Sequence, residues 1–473
     1  MKPAERRVIM LTAEVIQELS AIVGAEHVMS SAEDLIIYSN DATMFHSKPE
    51  AVVQPGNRDE VVQIVKIAGR HNLPVTCRGA GTCLSGGPIP LKGGIVLEMT
   101  RMNRILKVDA VNKVAVVEPG VITFSLASAA NQVGLLYPPD PSSMKESTLG
   151  GNISECAGGP KGVKYGITRN FVLGVEVVLA DGTIVKTGNE VDGDMAGPDW
   201  TMLFTGSEGT LGVIVSITLR LVPIPPVKKI LMAVYDRLED AAKTVSVTMA
   251  SGIIPTTLEI MDNLSIVSVE NYLKIGLPVQ AGGLLLIEVD GVQSTVEEDA
   301  ERVSEICKKC GASEVKMAQN AAEAEELWLA RRSINPAFGQ VAPCKFAEDA
   351  TVPRSLVPVL VGRVLEVQKK YGVPIFICGH AGDGNMHPTI MFDKRNKDQK
   401  ERAEKALHDV HIITLELGGT LSGEHGIGFA KAPYLRAETG EIGYKLGQEI
   451  KRSVDPHGLL NPGKIFFYEG VLH

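Results

Sequence analysis

The sequence predicts an α+β protein of two domains followed by a helical carboxyl-terminal segment, and three observations carry that expectation. Short runs that alternate in hydrophobicity interleave with amphipathic runs of helical period. The chain has 473 residues, which at roughly 150 residues per domain fits two or three folded units. A stretch at 222–229, VPIPPVKK, concentrates three prolines, which neither a helix interior nor a central strand accepts. The expected domains are therefore 1–225 and 226–425, with a segment 426–473 that returns to the first domain.

The elements follow in order. Residues 51–53 (AVV) read as a strand, RDEVVQIVKIAGRHN as an amphipathic helix and LPVTCRGAG as a strand entering a glycine-rich loop. GIVLEM, ILKVDA and KVAVVEPG are further short strands, and VITFSLASAANQVG is a helix closed by Gly134. VLGVEVVLADGTIVKTG is a hairpin turning at Asp181-Gly182, and LGVIVSITLRLVP ends the first domain. The second domain reads KILMAVY, RLEDAAKTVSVTMAS, TTLEIM, GGLLLIEVD, TVEEDAERVSEICKKCG and SEVKMA, a ferredoxin-like βαββαβ pattern. Helices are expected at EAEELWLARRSINPAFG and RSLVPVLVGRVLEVQKKYG, then a strand-turn-strand unit, PIFICGHAGDGNMHPTIMF, and a helical end up to Asn461-Pro462-Gly463.

Composition excludes several classes. Apolar residues at 44% and charged residues at 22% are ordinary globular values, so the chain should fold. The 47 Lys+Arg against 56 Asp+Glu give −9 without a dense basic run, which argues against nucleic acid and anionic membranes as partners. No apolar stretch approaches a membrane span, and MKPAERRVIMLTAEVIQEL meets Glu14 before a signal-like core has built up, so a cytoplasmic protein without a transmembrane segment is expected. Seven scattered cysteines suggest reduced thiols; Cys307 and Cys310 share metal-type spacing but lack a second pair. Glycine, 48 residues, is frequent enough to make its clusters the first places to search for a site.

Arg78-Gly79-Ala80-Gly81-Thr82, continuing to Ser85-Gly86, follows a strand, where backbone N–H groups can cradle a phosphate. It matches neither the Rossmann nor the P-loop pattern, and by itself it reads first as a structural turn. A second cluster runs from Ser147 to Gly159, preceded by Pro139, Asp140 and Ser143; its small residues suit a flat ring, with Thr148, Asn152 and Ser143 as hydrogen-bonding groups, or else form a long surface loop. A third, Gly206-Ser-Glu208-Gly209-Thr-Leu-Gly212-Val-Ile214, again leads into a strand. Farther on, His380 and His387 flank a Gly-Asp-Gly turn in GHAGDGNMHP, and Glu424-His425 lies in SGEHGIG. A lone buried histidine is ordinarily just hydrogen-bonded, but two histidines and a carboxylate in glycine loops suit a divalent-metal site with an open position. His408 and His411, at i, i+3 on the helix KALHDVHIITLEL, form a rival pair that reads as helix surface.

RGAGTCLSGG, STLGGNISECAGG and GSEGTLGVIVSITLRL, in that order, resemble the flavin domain of the vanillyl-alcohol-oxidase and para-cresol-methylhydroxylase family over roughly the first 220 residues. GHAGDGNMH followed by SGEHGIG resembles its FAD-linked D-2-hydroxyacid dehydrogenase group, which extends the likeness to almost the whole chain. The resemblance implies a two-subdomain FAD-binding domain and a ferredoxin-like cap domain. It implies FAD held by Arg78, Gly79, Ala80, Gly81, Thr82, Ser85, Gly86, Pro139, Asp140, Ser143, Thr148, Gly151, Asn152, Ala157, Gly158, Glu208, Gly209, Gly212, Ile214 and Asn461. Because Thr82 stands where covalent members often carry a tethering histidine, non-covalent FAD is expected. It further implies that His380, His387 and Glu424 hold a divalent ion (Zn, Mn or Fe) and that His425 is the base. Arg331 and Lys345 would grip the substrate carboxylate, with Asn335 on the helical face of Trp328 and Arg331 where relatives carry Thr.

The expected activity is oxidation of a small D-2-hydroxy acid, D-lactate or glycolate, to the 2-oxo acid. No cysteine cluster for an iron–sulfur centre is present, so electrons should pass to an electron-transferring flavoprotein or an iron–sulfur subunit, in an oligomer or hetero-complex. The alternatives are a non-catalytic flavin-bearing docking subunit and an alkyl transferase of the same flavin superfamily.

Overall fold

The computed structural model describes residues 11–191 and 197–467, and most of the amino-terminal stretch read above as lacking a leader lies outside them. The chain divides into two compact units, one of residues 1–157, 167–224 and 424–473, the other of residues 158–166 and 225–423. The passage at 224/225 falls within the proline run.

Among the described residues the first unit holds two larger sheets and a two-stranded pair of Leu135–Leu136 with Val222–Pro223. Strands β1 (Val28–Met29), β2 (Ala51–Val53), β3 (Val75–Arg78) and β4 (Ile95–Glu98) lie in the order β1-β2-β4-β3, with β4 parallel to both β2 and β3. Helix α1 (Arg58–His71), capped by Asn57 and ended by left-handed Asn72, is the crossover, and Val61, Ile64, Val65 and Ala68 bury one stripe of it. Strands β5 (Ile105–Asp109), β6 (Val114–Val117), β7 (Val172–Val178), β8 (Ile184–Gly188) and β9 (Val213–Arg220) form an antiparallel sheet in the order β5-β6-β9-β7-β8. The hairpin β7–β8 turns at Asp181-Gly182, as its sequence dictates. Helix α2 (Leu149–Glu155) starts at Thr148, whose Oγ1 accepts from the Gly151 N–H.

The second unit is one eight-stranded antiparallel sheet. Its strands are β10 (Val227–Tyr235), β11 (Thr257–Asp262), β12 (Gly283–Gly291), β13 (Ala312–Met317), β14 (Cys344–Ala347), β15 (Ala350–Thr351), β16 (Ile375–His380) and β17 (Asn385–Phe392). The order is β13-β10-β12-β11-β16-β17-β14, with β15 also on β17. The first four strands have the 4-1-3-2 order of a ferredoxin-like unit, and the hairpin β16–β17 extends that sheet. Helices α3 (Leu238–Ala250), α5 (Gln293–Lys309), α8 (Val357–Tyr371) and α9 (Lys397–Glu416) also pack in this unit, together with α4, α6 and α7.

Two local differences from the sequence reading have physical causes. Between β11 and β12 the chain forms α4 (Asn263–Leu273), because Asp262 accepts from the Ser265 N–H at 2.9 Å and so starts a helix directly off the strand. Asp262 also accepts from the Ile377 N–H at 3.0 Å, joining that helix start to β16. The helix expected through 335 breaks at Ser333 into α6 (Ala321–Arg332) and α7 (Ile334–Ala337), because the Pro336 ring cannot lie over the carbonyl of Arg332.

In the first unit the helix Ala432–Val454 is anchored by Lys451, which is buried and donates to the carbonyls of Thr210 (2.6 Å) and Leu460 (2.8 Å) and to the Asp455 carboxylate. Replacing Lys451 by Met strands a buried carboxylate, so unfolding should become easier by about 3–5 kcal/mol. Lys445→Met, which removes an exposed partner of Glu441, should cost no more than about 1 kcal/mol in the same calorimetric comparison.

Candidate active site

In the first unit the loop after β3 is shaped by what its glycines exclude. A Cβ on Gly79 would overlap Thr148 Oγ1, and Gly81, at φ +75°, would drive one into the Arg78 guanidinium. The loop is thus a cradle that side chains would fill, which suits the close approach of a diphosphate to main-chain N–H groups. Arg78 is buried and donates from Nη1 to the Asn40 carbonyl at 2.6 Å, while Ala80 is exposed and Thr82 half-buried. The Ser85 carbonyl accepts from the N–H groups of Phe429 (2.9 Å) and Ala430 (3.0 Å), and the Gly86 N–H donates to Asp41 at 3.0 Å. Asn461 Nδ2 donates to the carbonyls of Gly87 (3.0 Å) and Glu208 (2.7 Å), tying the first and third glycine segments together.

Glu208 accepts from the N–H groups of Ile427 (2.7 Å) and Gly428 (2.6 Å). Burial pushes its carboxyl up to about 7, against the pull of those donors and of Lys464 and Lys431. Thr148 and Asn152 bond within the fold: the first caps α2 and the second donates to Thr123 Oγ1 at 2.7 Å. Ala157 accepts from the Thr168 hydroxyl at 2.6 Å. Pro139 is buried, Asp140 and Ser143 are half-buried, and Gly209, Gly212 and Ile214 lead into β9. Gly158 falls in the second unit. The cradle and its small-residue surroundings fit FAD.

In the second unit the ladder sets the site. Met261 lies opposite Cys378, and Cys378 opposite His387, so these residues share a face, which Glu259 and His380 join two residues along their strands. Lys345 is opposite Met391 on the same face. Farther along that face the apolar cluster of Met261, Phe376, Cys378, Met391, Ile334 and Phe338 excludes water.

Glu259 is fully buried; its Oε1 lies 2.7 Å from His380 Nδ1, and its Oε2 accepts from Arg331 Nε at 2.7 Å and Nη2 at 2.6 Å. Burial alone would raise this carboxyl, but His380 and Arg331 outweigh it and hold it below the usual carboxylate range. The His380 and His387 rings meet edge-on with centroids 4.9 Å apart, and His387 Nδ1 lies 3.7 Å from Asp349 Oδ1. Asp349 in turn accepts from the Ser422 hydroxyl at 3.1 Å. Lys345 donates to Asn335 Oδ1 and lies 4.9 Å from the Phe338 ring centre; burial lowers its pKa. In the first unit Glu424 and His425 lie side by side, 3.9 Å from oxygen to ring nitrogen.

Sequence reasoning missed Glu259 and Asp349. His411 is not on the helix surface as expected: it is buried, with Nε2 2.9 Å from Glu348, because α9 turns this residue inward with Ala403, Ala406 and Val410. All seven cysteines are free, and Cys307 is buried. The His387 imidazole and the Asp349 carboxylate belong to a possible metal-ligand group of nitrogen and oxygen donors, a set that suits Zn, Mn or Fe, while the neighbouring His380 ring is engaged through Nδ1 by Glu259. None of the described helices is long and apolar enough to cross a membrane.

A glycine cradle for a flavin and a buried imidazole–carboxylate site define an FAD-linked oxidoreductase. The chain matches the families described as "FAD linked oxidases, C-terminal domain" over residues 224–465 and "FAD binding domain" over residues 49–188. It belongs to the FAD-linked oxidase family of vanillyl-alcohol-oxidase and para-cresol-methylhydroxylase type flavoproteins. It is 47% identical to glycolate oxidase subunit GlcD of Bacillus subtilis, covering 97% of each chain. It is 34% identical to D-lactate dehydrogenase of Anaerostipes hadrus, covering 97% of this chain and 98% of that one. Among solved structures, 4-ethylphenol oxidase from Gulosibacter chungangensis shares the fold, with a TM-score of 0.80 at 19% identity and coverage of 97% and 98%.

The cradle yields a direct test. Gly79→Ala must push Thr148 off its capping position, so FAD affinity should fall at least about tenfold, read by flavin absorbance after gel filtration. Full retention of flavin would show that the loop does not hold the cofactor.

Proposed function

We propose that the protein oxidises a D-2-hydroxy acid, D-lactate or glycolate, to the 2-oxo acid. The observation that carries this reading is the pairing, at one sheet face, of two cations that suit a carboxylate, buried Arg331 and half-buried Lys345, with imidazole and carboxylate donors that suit a divalent ion. The names of the relatives, glycolate oxidase subunit and D-lactate dehydrogenase, agree with it.

Arg331 and Lys345 bind the substrate carboxylate, the planar guanidinium matching its geometry. His380, His387 and Glu424 hold the ion, with Asp349 beside them. A Cβ on Gly423 would meet Thr351 and Asn385, so the backbone just before Glu424 runs tightly against this sheet. A divalent ion held there would supply Lewis acidity for the substrate hydroxyl, and FAD held by the cradle would supply the hydride acceptor for C2. His425 takes the hydroxyl proton on a ring nitrogen, the role imidazole most often fills as a general base. The apolar cluster beside the carboxylate grip keeps water from competing for it.

FAD is non-covalent, since Thr82 offers no tether. Electrons leave through a partner, an electron-transferring flavoprotein or an iron–sulfur subunit, and the word "subunit" in the name of the relative supports a hetero-complex. The protein works in the cytoplasm.

Acid precipitation should release the yellow colour into the supernatant. In an anaerobic panel of D- and L-2-hydroxy acids, D-lactate or glycolate should bleach the flavin; bleaching by neither overturns the reading. His425→Ala should keep FAD and slow flavin reduction by about 10²–10⁴-fold. Arg331→Met should instead raise KM strongly, with kcat falling where the grip aligns C2. Wild-type reduction rates in the first variant together with normal substrate binding in the second would remove the assigned roles.

A further inference from the structure

We infer that Glu259 is a positioning residue that links the carboxylate grip to the metal ligand, so that the two half-sites are energetically coupled. The inference rests on the metal reading above. Glu259 is the shared element: one oxygen faces His380 Nδ1 at 2.7 Å, and the other receives both Nε and Nη2 of Arg331. No water reaches it, since its side chain is fully buried and the flanking Met261 and Cys378 are packed into the apolar cluster.

Two consequences follow for His380. With Nδ1 engaged by a carboxylate, the proton of the neutral imidazole is fixed on Nδ1, and only Nε2 can ligate an ion. The carboxylate also makes that imidazole a stronger donor. Arg331 draws on the same carboxylate, so the more of its negative charge the guanidinium engages, the less is directed at His380. A substrate carboxylate arriving at Arg331 competes for the guanidinium, which releases Glu259 toward His380 and strengthens ion binding. By linkage, the bound ion strengthens substrate binding by the same factor. Two bonds from Arg331 converge on one oxygen of Glu259, which limits the directions in which its other N–H groups are presented.

The arrangement predicts opposite signs for two substitutions, which a merely structural role would not give. Zn²⁺ affinity of metal-stripped, FAD-loaded protein is measured by competition with a chromophoric chelator and repeated with Mn²⁺. Glu259→Gln, nearly isosteric, should weaken binding by about 10–100-fold. Arg331→Met, which removes a cation and leaves the carboxylate to His380 alone, should tighten it. In wild type, D-lactate or glycolate under anaerobic conditions should tighten ion binding, and Glu259→Gln should reduce that effect to the part that direct contact of the substrate hydroxyl with the ion supplies. Flavin content and circular dichroism establish that both variants are folded; should Glu259→Gln not fold, the sign of Arg331→Met and the wild-type linkage still decide. Unchanged ion affinity in folded Glu259→Gln, or weakening in Arg331→Met, overturns the inference while leaving the metal reading intact. A wild-type chain that binds neither ion overturns the metal reading, and the inference with it, before any substitution is made.

Discussion

The register of the ladder β11–β16–β17 is the constraint on which the second unit depends. Opposite residues in an antiparallel pair share a face, so the alignment of Met261 with Cys378 and of Cys378 with His387 puts Glu259, His380 and His387 on one side of the sheet. A slip of one residue would send both imidazoles to the opposite face. The same alternation places Phe376 and Met391 beside them, and Ile334 of α7 and Phe338 just after it complete the cluster. Polar groups at the margin of such a cluster lose water, and a charge left there alone costs several kcal/mol. Pairing of Arg331 and His380 through Glu259 meets that cost.

The first unit solves a different problem. A surface for a diphosphate must expose main chain, so side chains cannot brace the loop from within. Its carbonyls are held instead by donors from distant segments: Ser85 by Phe429 and Ala430, Gly87 by Asn461 and Lys464, Ile89 by Lys464 again. Lys464 is buried and its amine is pulled down to about 8, against the pull of Cys83, Glu208, Asp41 and Glu155. The carboxyl-terminal stretch of chain is therefore structural support for the amino-terminal loop, which explains why residues 424–473 belong to the first unit.

What the sequence made legible follows from the range of the interactions. The strand-loop passage at Arg78, the Asp181-Gly182 hairpin and the His380/His387 turn are local, and spacing alone exposes them. Glu259 escaped because in TTLEIM it reads as a solvent-facing strand residue, while its partners lie 72 and 121 residues away. Asp349 sits in AEDAT, which has no motif. His411 read as surface because its carboxylate partner is 63 residues distant. The helix α4 was concealed by β-branched residues in NLSIVSVENYL, although Asp262 with Ser265 three residues on was a visible capping signal.

The charges of the second unit bear on the kind of anion it can take. Arg331 is offset by Glu259, which leaves Lys345, partnered by neutral Asn335 and facing an aromatic ring, as the cation whose charge no carboxylate cancels. On these residues that leaves a single positive charge, which one carboxylate would neutralise. A second carboxylate on the substrate would enter a low-dielectric site with no counter-charge, at a cost that a hydrogen bond or two cannot recover. On this count the proposed grip would suit a small monoanion better than a dicarboxylate.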